Sequence, residues 1–192
     1  MAGHRLGPLL LVVVLLLGTG AGSAGAGGGA DEDLRREAYR LWERGYALHL
    51  IGEFEQAILL YRRSLDAHPT AEAHTFLGWS LSQLGRLEEA IAECKAAIAL
   101  DPEYGNPYND IGAYLIALGR LEEAIPWLRR ATEAPRYCCY EFPHFNLGRI
   151  LLMKGRLAEA KRAFERALSH NPNYLPARLA LDALRELMGE TL

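Results

Sequence analysis

Leu77-Gly78-Trp79-Ser80-Leu81-Ser82-Gln83-Leu84-Gly85-Arg86-Leu87-Glu88-Glu89-Ala90 is the stretch that decides the fold. Apolar residues at helical spacing lead into Gly85, and a second helical pattern starts directly after it. A glycine between two such stretches supplies the left-handed cap at which one helix stops and the chain reverses. Glu88 and Glu89 fall in the first turn of the second helix, where they complement its dipole. Gly78 lies mid-helix, where glycine costs about 1 kcal/mol against alanine. Close approach of a partner helix would compensate that cost, and Ala90, twelve residues on, is the expected small contact.

The same pattern recurs along the chain. Gly45, Gly78, Gly112 and Gly148 are spaced by 33, 34 and 36 residues, and Gly52, Gly85, Gly119 and Gly155 repeat those spacings. So do Ala57, Ala90, Ala124 and Ala160, each followed four residues later by Tyr61, Cys94, Leu128 or Phe164. Pro69, Pro102 and Pro172 close three units, with Pro135 one place early in the third; proline cannot continue a helical hydrogen-bond ladder. Several ladders in one register signal a repeat architecture.

At these residues the sequence resembles the tetratricopeptide repeat family. Tyr108…Ile111-Gly112…Leu115…Gly119…Ala124…Leu128…Ala131 carries that family's small and large positions, as do Leu77-Gly78…Leu81…Ala90…Ala97…Pro102 and Leu147-Gly148…Leu151…Ala160…Phe164…Ala167…Pro172. The first unit departs at Arg44, where an aliphatic residue is usual, and at Ser64, where alanine is commoner. The resemblance implies an all-α, right-handed α-solenoid of four helix-turn-helix repeats, at residues 38–70, 71–104, 105–138 (with an extended turn to 140) and 141–174. Residues 27–37 read as a linker and the start of the first helix, capped by Asp31-Glu32-Asp33. Residues 175–192 read as a capping helix that covers the last repeat with Leu175, Leu179, Leu184, Leu187 and Met188.

The first 26 residues have a different character. Arg5 supplies a positive charge, Leu9 to Leu17 are unbroken apolar, and small residues run from Gly18 to Ala30. The apolar run falls well short of the roughly 20 residues that span a bilayer as a helix. A short apolar region before Ala24-Gly25-Ala26 reads as a signal peptide of residues 1–26, hence a secreted or periplasmic protein. An uncleaved anchor is the alternative, disfavoured by length; no stable span is expected after cleavage.

Half of the residues are apolar, 23% are charged and the formal charge is −3. Basic residues are interleaved with acidic ones, as in Arg35-Arg36-Glu37, so no basic stripe offers itself to a nucleic acid. Cys94 stands where Tyr61, Leu128 and Phe164 stand and reads as a core residue. Adjacent Cys138 and Cys139 are open to a vicinal bridge. With His144 they still lack a fourth metal ligand, and no orienting third group or oxyanion element accompanies them for catalysis. No cofactor is implied and no enzymatic activity is expected.

The expected function is therefore that of a protein-interaction scaffold. The resemblance implies that the first helix of each repeat lines a concave face. Its outward positions hold Tyr39, Trp42 and Tyr46, then Phe76 and Trp79, then Asn106, Asn109 and Asp110, and finally Phe142, Phe145, Asn146 and Arg149. Aromatic anchors beside amide and guanidinium groups suit a peptide-binding surface, although large aromatics also pack between repeats. Two specialisations of the family fit poorly. A carboxylate-gripping set of lysine, asparagine and arginine meets Trp42, Tyr46, Phe76, Asn106 and Asp110 instead. An asparagine ladder before Leu-Gly is present at Asn146 but replaced by Asp110, Phe76 and Glu43. The irregular junction from Ala134 to Phe145 reads equally as a longer turn with tucked aromatics or as a binding loop. A redox-responsive protein using Cys138 and Cys139, and a self-associating array, are the alternatives to a peptide scaffold.

Overall fold

Nine α-helices succeed one another along residues 26–189, the part of the chain that this computed structural model describes. They are α1 (Ala26–Leu50), α2 (Phe54–Ala67), α3 (Ala71–Gln83), α4 (Leu87–Leu100), α5 (Asn106–Ala117), α6 (Leu121–Glu133), α7 (Glu141–Met153), α8 (Leu157–His170) and α9 (Leu175–Leu187). Each even helix pairs with the odd helix before it, and each pair stacks on the next. Besides the contact of each even helix with the odd helix that follows it, odd helices of successive repeats pack side by side, α1 on α3, α3 on α5 and α5 on α7. The odd helices therefore form the tighter, inner layer. The signal-peptide reading lies, apart from Ala26, outside the described residues. No described helix is long and apolar enough to cross a membrane.

The turns within repeats follow from their glycines. Gly52, Gly85, Gly119 and Gly155 all have φ between 69° and 85°. At Gly85 the Arg86 N–H donates to Leu81 O at 3.0 Å and the Gly85 N–H to Ser82 O at 3.0 Å. That pair of bonds is a Schellman cap, and it is repeated at the other three turns. α2, α4, α6 and α8 each end two residues before Pro69, Pro102, Pro135 and Pro172. The first-turn acids are used by arginine rather than by the backbone: Arg86 grips Glu89 at 2.7 and 2.6 Å, and Arg120–Glu123 and Arg156–Glu159 copy it. These pairs are exposed, and solvent screening leaves them little to contribute to stability.

Three expectations need correction. The mid-helix glycines do accommodate the partner helix, but chiefly its bulky residue at sixteen places on. A Cβ at Gly45 would lie 2.8 Å from Tyr61 Cε1 and one at Gly148 2.5 Å from Phe164 Cε1; at Gly112 it would strike Leu128. Only at Gly78, whose counterpart is the small Cys94, does the Ala90 carbonyl come nearest, at 3.2 Å. Second, α1 starts at Ala26, so Asp31 and Asp33 sit inside it and pair with Arg35 and Arg36 instead of capping. No proline or positive-φ glycine interrupts residues 26–30. Third, α9 buries Ala177, Leu181 and Leu184, leaving Leu175, Leu179, Leu187 and Met188 exposed. Small Ala177 lets α9 approach α8 as an odd helix does. Arg178, Asp182 and Arg185 then fall where a further even helix would have packed, which gives the cap its polar outer face.

The core runs continuously from Ala57 and Tyr61 through Leu77, Leu81, Ile111 and Leu128 to Ile150. Cys94 lies in it, fully buried. The irregular Ser64 is buried too, and its hydroxyl is satisfied by donating to Ala38 O at 2.7 Å.

Candidate peptide-binding face

The inner layer presents two chemically different halves. In the first, Tyr39, Trp42 and Tyr46 recur at three- and four-residue spacing on one face of α1. Their rings stack in sequence, with centroids 5.9 and 5.7 Å apart. Phe76 on α3 meets both Trp42 and Tyr46 edge-on at 5.2 Å, and packs against Trp79 at 4.6 Å. Phe76 also touches Tyr61 from the core. Such aromatic pairs contribute roughly 0.5–1.5 kcal/mol each beyond burial. Tyr39 and Tyr46 remain exposed on the open side of this array, while Trp42, Phe76 and Trp79 are half-buried.

In the second half a hydrogen-bond relay crosses three repeats. The Trp79 indole N–H donates to Asp110, and the Asn109 amide donates to the other Asp110 oxygen at 3.4 Å. Asn146 Nδ2 donates to Asn109 Oδ1 at 3.1 Å, and an Arg149 N–H donates to Asn146 Oδ1 at 3.1 Å. Asp110 and Asn146, expected to face outward, are in fact buried. Burial pushes the Asp110 carboxyl up to about 7, against the pull of its two donors. Arg149 is half-buried, has Phe145 beneath it at 6.0 Å, and forms no ion pair among the described residues. Its remaining N–H donors are free to meet a partner.

Where the halves meet there is a concavity of about 480 Å³, bounded by His49, Trp79, Asn109, Asp110, Tyr114 and Phe142. Asn106, Ser82, Tyr137 and Cys139 complete its wall. The 134–145 junction thus does two things. Gly105 N–H donates to Arg136 O and Arg136 N–H to Glu103 O, a single parallel β-bridge between successive inter-repeat loops. The Arg136 side chain pairs with Glu72 and Asp101 and covers Tyr104. Tyr137 is buried against Gly105, where any Cβ would collide with it. The segment is a staple, and its inner edge walls the concavity. Cys138 and Cys139 are bonded to each other, and Cys94 is buried in the core.

Phe145, half-buried, is drawn toward the end of the array. It packs against Phe164 and Tyr174 at the boundary with the cap, whereas Phe142, next to the concavity, stays exposed beside Tyr174.

Comparison with known proteins agrees with this architecture. Three sequence profiles, each described as tetratricopeptide repeat, match residues 36–105, 81–136 and 142–174, together most of the chain. The chain belongs to the tetratricopeptide repeat family. It is 31% identical over 142 residues to the type IV pilus assembly protein PilF of Pseudomonas aeruginosa, covering 73% of this chain and 56% of that protein. It is 30% identical over 132 residues to the TPR repeat-containing protein YpiA of Bacillus subtilis, covering 68% of this chain and 30% of that one. The chain thus spans less than two thirds of either relative. The solved structure of P. aeruginosa PilF superimposes with a TM-score of 0.74 at 26% identity, over 82% of this chain and 70% of that one. YrrB, described as a TPR protein with an unusual peptide-binding site, shares the fold with a TM-score of 0.61 at 23% identity, over 87% and 86% of the two chains.

Within this tetratricopeptide array, sequence reasoning missed His49, Ser82 and Tyr114. Tyr114 was open to discovery, since it lies one helical turn beyond Asp110 on the same face. Tyr137 entered only as part of the irregular 134–145 junction, because its place depends on the β-bridge.

Proposed function

We propose that this tetratricopeptide array is an exported, non-catalytic adaptor that holds a peptide segment of another protein against its odd helices. Trp42, Tyr46, Phe76, Trp79 and Phe142 supply apolar contact, Asn109 aligns the segment's backbone, buried Asn146 holds Asn109 and Arg149 in place from behind, and Arg149 takes a carboxylate or carbonyl. Asp110 acts behind them by anchoring Trp79 and Asn109. Phe145 supports Arg149 from below.

The observation that carries this reading is Arg149 itself. A guanidinium held half-buried at the end of a hydrogen-bond relay, without an acid in range, is a strong donor waiting for an acceptor. The naming of a peptide-binding site in YrrB and the pilus-assembly role of PilF are in keeping with it. Export rests on the composition of residues 1–26.

Partner captured from the native compartment is the reagent for the test. Arg149→Ala should weaken its binding by roughly 1–3 kcal/mol, since interface energy concentrates in a few Trp, Tyr and Arg residues. Arg86→Ala, on the outer layer, should leave affinity unchanged. Equal affinities for the two variants would remove the groove from consideration.

A further inference from the structure

Arginines gather on the outer layer between α6 and α8. A groove of about 330 Å³ runs there, floored by Ile125, Leu147, Ile150 and Leu151 from α6 and α7. Arg129 on α6 and Arg162 and Arg166 on α8 line it, all exposed. None of the three forms an ion pair among the described residues, in contrast to Arg86, Arg120, Arg136 and Arg156. The groove's acid, Glu159, is already gripped by Arg156.

The repeat register shows which part of this charge is particular to the junction. Arg166 has Arg63 and Arg130 as counterparts in the first and third repeats and Ala96 in the second, whereas the place of Arg162 is held by Leu59, Ala92 and Pro126. The place of Glu93, which in the second repeat bonds His74 at 2.6 Å, is held by Ala163 in the fourth. His144, the counterpart of His74, therefore faces Arg166 and His170 with no acid beside it, its ring stacked on His170 at 5.2 Å. Burial, then His170 and Arg166, hold His144 down at about 4.

We infer that this groove is a second binding site, for an acidic peptide segment that carries one apolar side chain. The guanidinium groups on two helices can take carboxylates in fork geometry, and the aliphatic floor takes the apolar residue. A flat anionic membrane suits the site less well. The arginines share their recess with Glu159, and exposed Glu122 and Glu165 stand on α6 and α8, where their fields oppose an anionic surface within a Debye length of about 8 Å. The site lies on the opposite layer from the proposed peptide face and does not depend on it.

A labelled peptide Glu-Glu-Leu-Glu-Glu, its Lys-Lys-Leu-Lys-Lys counterpart and phosphatidylglycerol vesicles are the probes. Anisotropy at low salt should show the acidic peptide binding and the basic one not. The Arg129→Ala/Arg166→Ala variant should weaken the acidic peptide at least about tenfold, while Arg149→Ala should not. Titration of the His144 ring by NMR should move to higher pH when the peptide is bound, because a carboxylate in the groove favours the imidazolium. The groove contains Arg129, Arg156, Arg162, Arg166 and Glu159 as its other charged groups, and His170 stacks on the His144 ring, so Arg156→Ala serves as the check on indirect effects. Undiminished binding by the double variant, or an unmoved His144 titration, would overturn the inference. So would vesicles that bind with the same arginine dependence and displace the peptide, which would make the partner a lipid surface. Inorganic phosphate shifting His144 as far as the peptide does, at equal concentration, would reduce the site to one for small anions.

Discussion

The two halves of the inner layer use different physics to reach one surface. Between α1 and α3 the face is made of rings that lean on each other and on the core, so its shape is fixed by packing. Between α3 and α7 it is made of polar groups that are fixed by hydrogen bonds crossing from repeat to repeat. Packing of this kind is non-directional and tolerant of what lies above it; a relay of donors and acceptors is directional and reads the atoms presented to it. In the proposed adaptor the first half therefore supplies area and the second supplies register. Trp79 belongs to both, with its ring on Phe76 and its N–H on Asp110.

The sharpest way to break this contrast is to remove the ring at the centre of the first half. Phe76 touches Trp42, Tyr46, Tyr61 and Trp79, and Phe76→Ala should destabilise the fold by about 3 kcal/mol, the lower end for a truncated aromatic because Phe76 is only half-buried. Chemical denaturation measures this; an unchanged midpoint would mean that the rings lie on the surface without supporting it.

The second half should respond to pH in a way the first does not. The folded chain holds the Asp110 proton up to about pH 7, whereas an unfolded aspartate releases it near pH 4. Folding thus takes up a proton between these values, and this group's contribution is fully favourable below about pH 4 and is lost as the pH rises through about 7. Asp110→Asn should flatten that slope, leaving the variant more stable than the native chain at pH 8 by up to about 4 kcal/mol. Parallel stability curves for the two proteins between pH 5 and 8 would show that Asp110 ionises freely. The smallest effect is expected at Asn109→Ala, which interrupts the relay with loss of about 1 kcal/mol and should loosen Asn146 and Arg149. Denaturation reads the first consequence, and side-chain NMR of Asn146 the second.

How much of this was legible beforehand depended on the range of the interactions. The turns were readable because a left-handed cap is a property of one residue, and Gly52, Gly85, Gly119 and Gly155 announce it locally. The mid-helix glycines were readable as close approaches, but their partner was misjudged. Rotation of the second helix brings Tyr61, Leu128 or Phe164 over the notch rather than the alanine one turn earlier. The leucines of α9 misled because hydrophobicity alone does not say which of two apolar faces turns inward; the small Ala177 decides it. The candidate residues of the inner face were found by register, since odd helices repeat their orientation. Their hydrogen bonds were not, for Trp79–Asp110 and Asn109–Asn146 join residues 31 and 37 apart through side-chain conformations that no spacing encodes. The staple at Arg136 and Tyr137 was invisible for the same reason, because it pairs one irregular loop with another.

The central claim is that the two halves form one continuous peptide-binding face. Photo-crosslinking in the native compartment tests it most directly, with a benzophenone side chain placed in turn at position 46, at position 109, and at position 59 on the outer face of α2, where Leu59 is exposed. The account predicts the same partner adduct from positions 46 and 109, mapping to neighbouring residues of one partner segment, and none from position 59. Adducts from position 59 alone, or unrelated partners at 46 and 109, would contradict it.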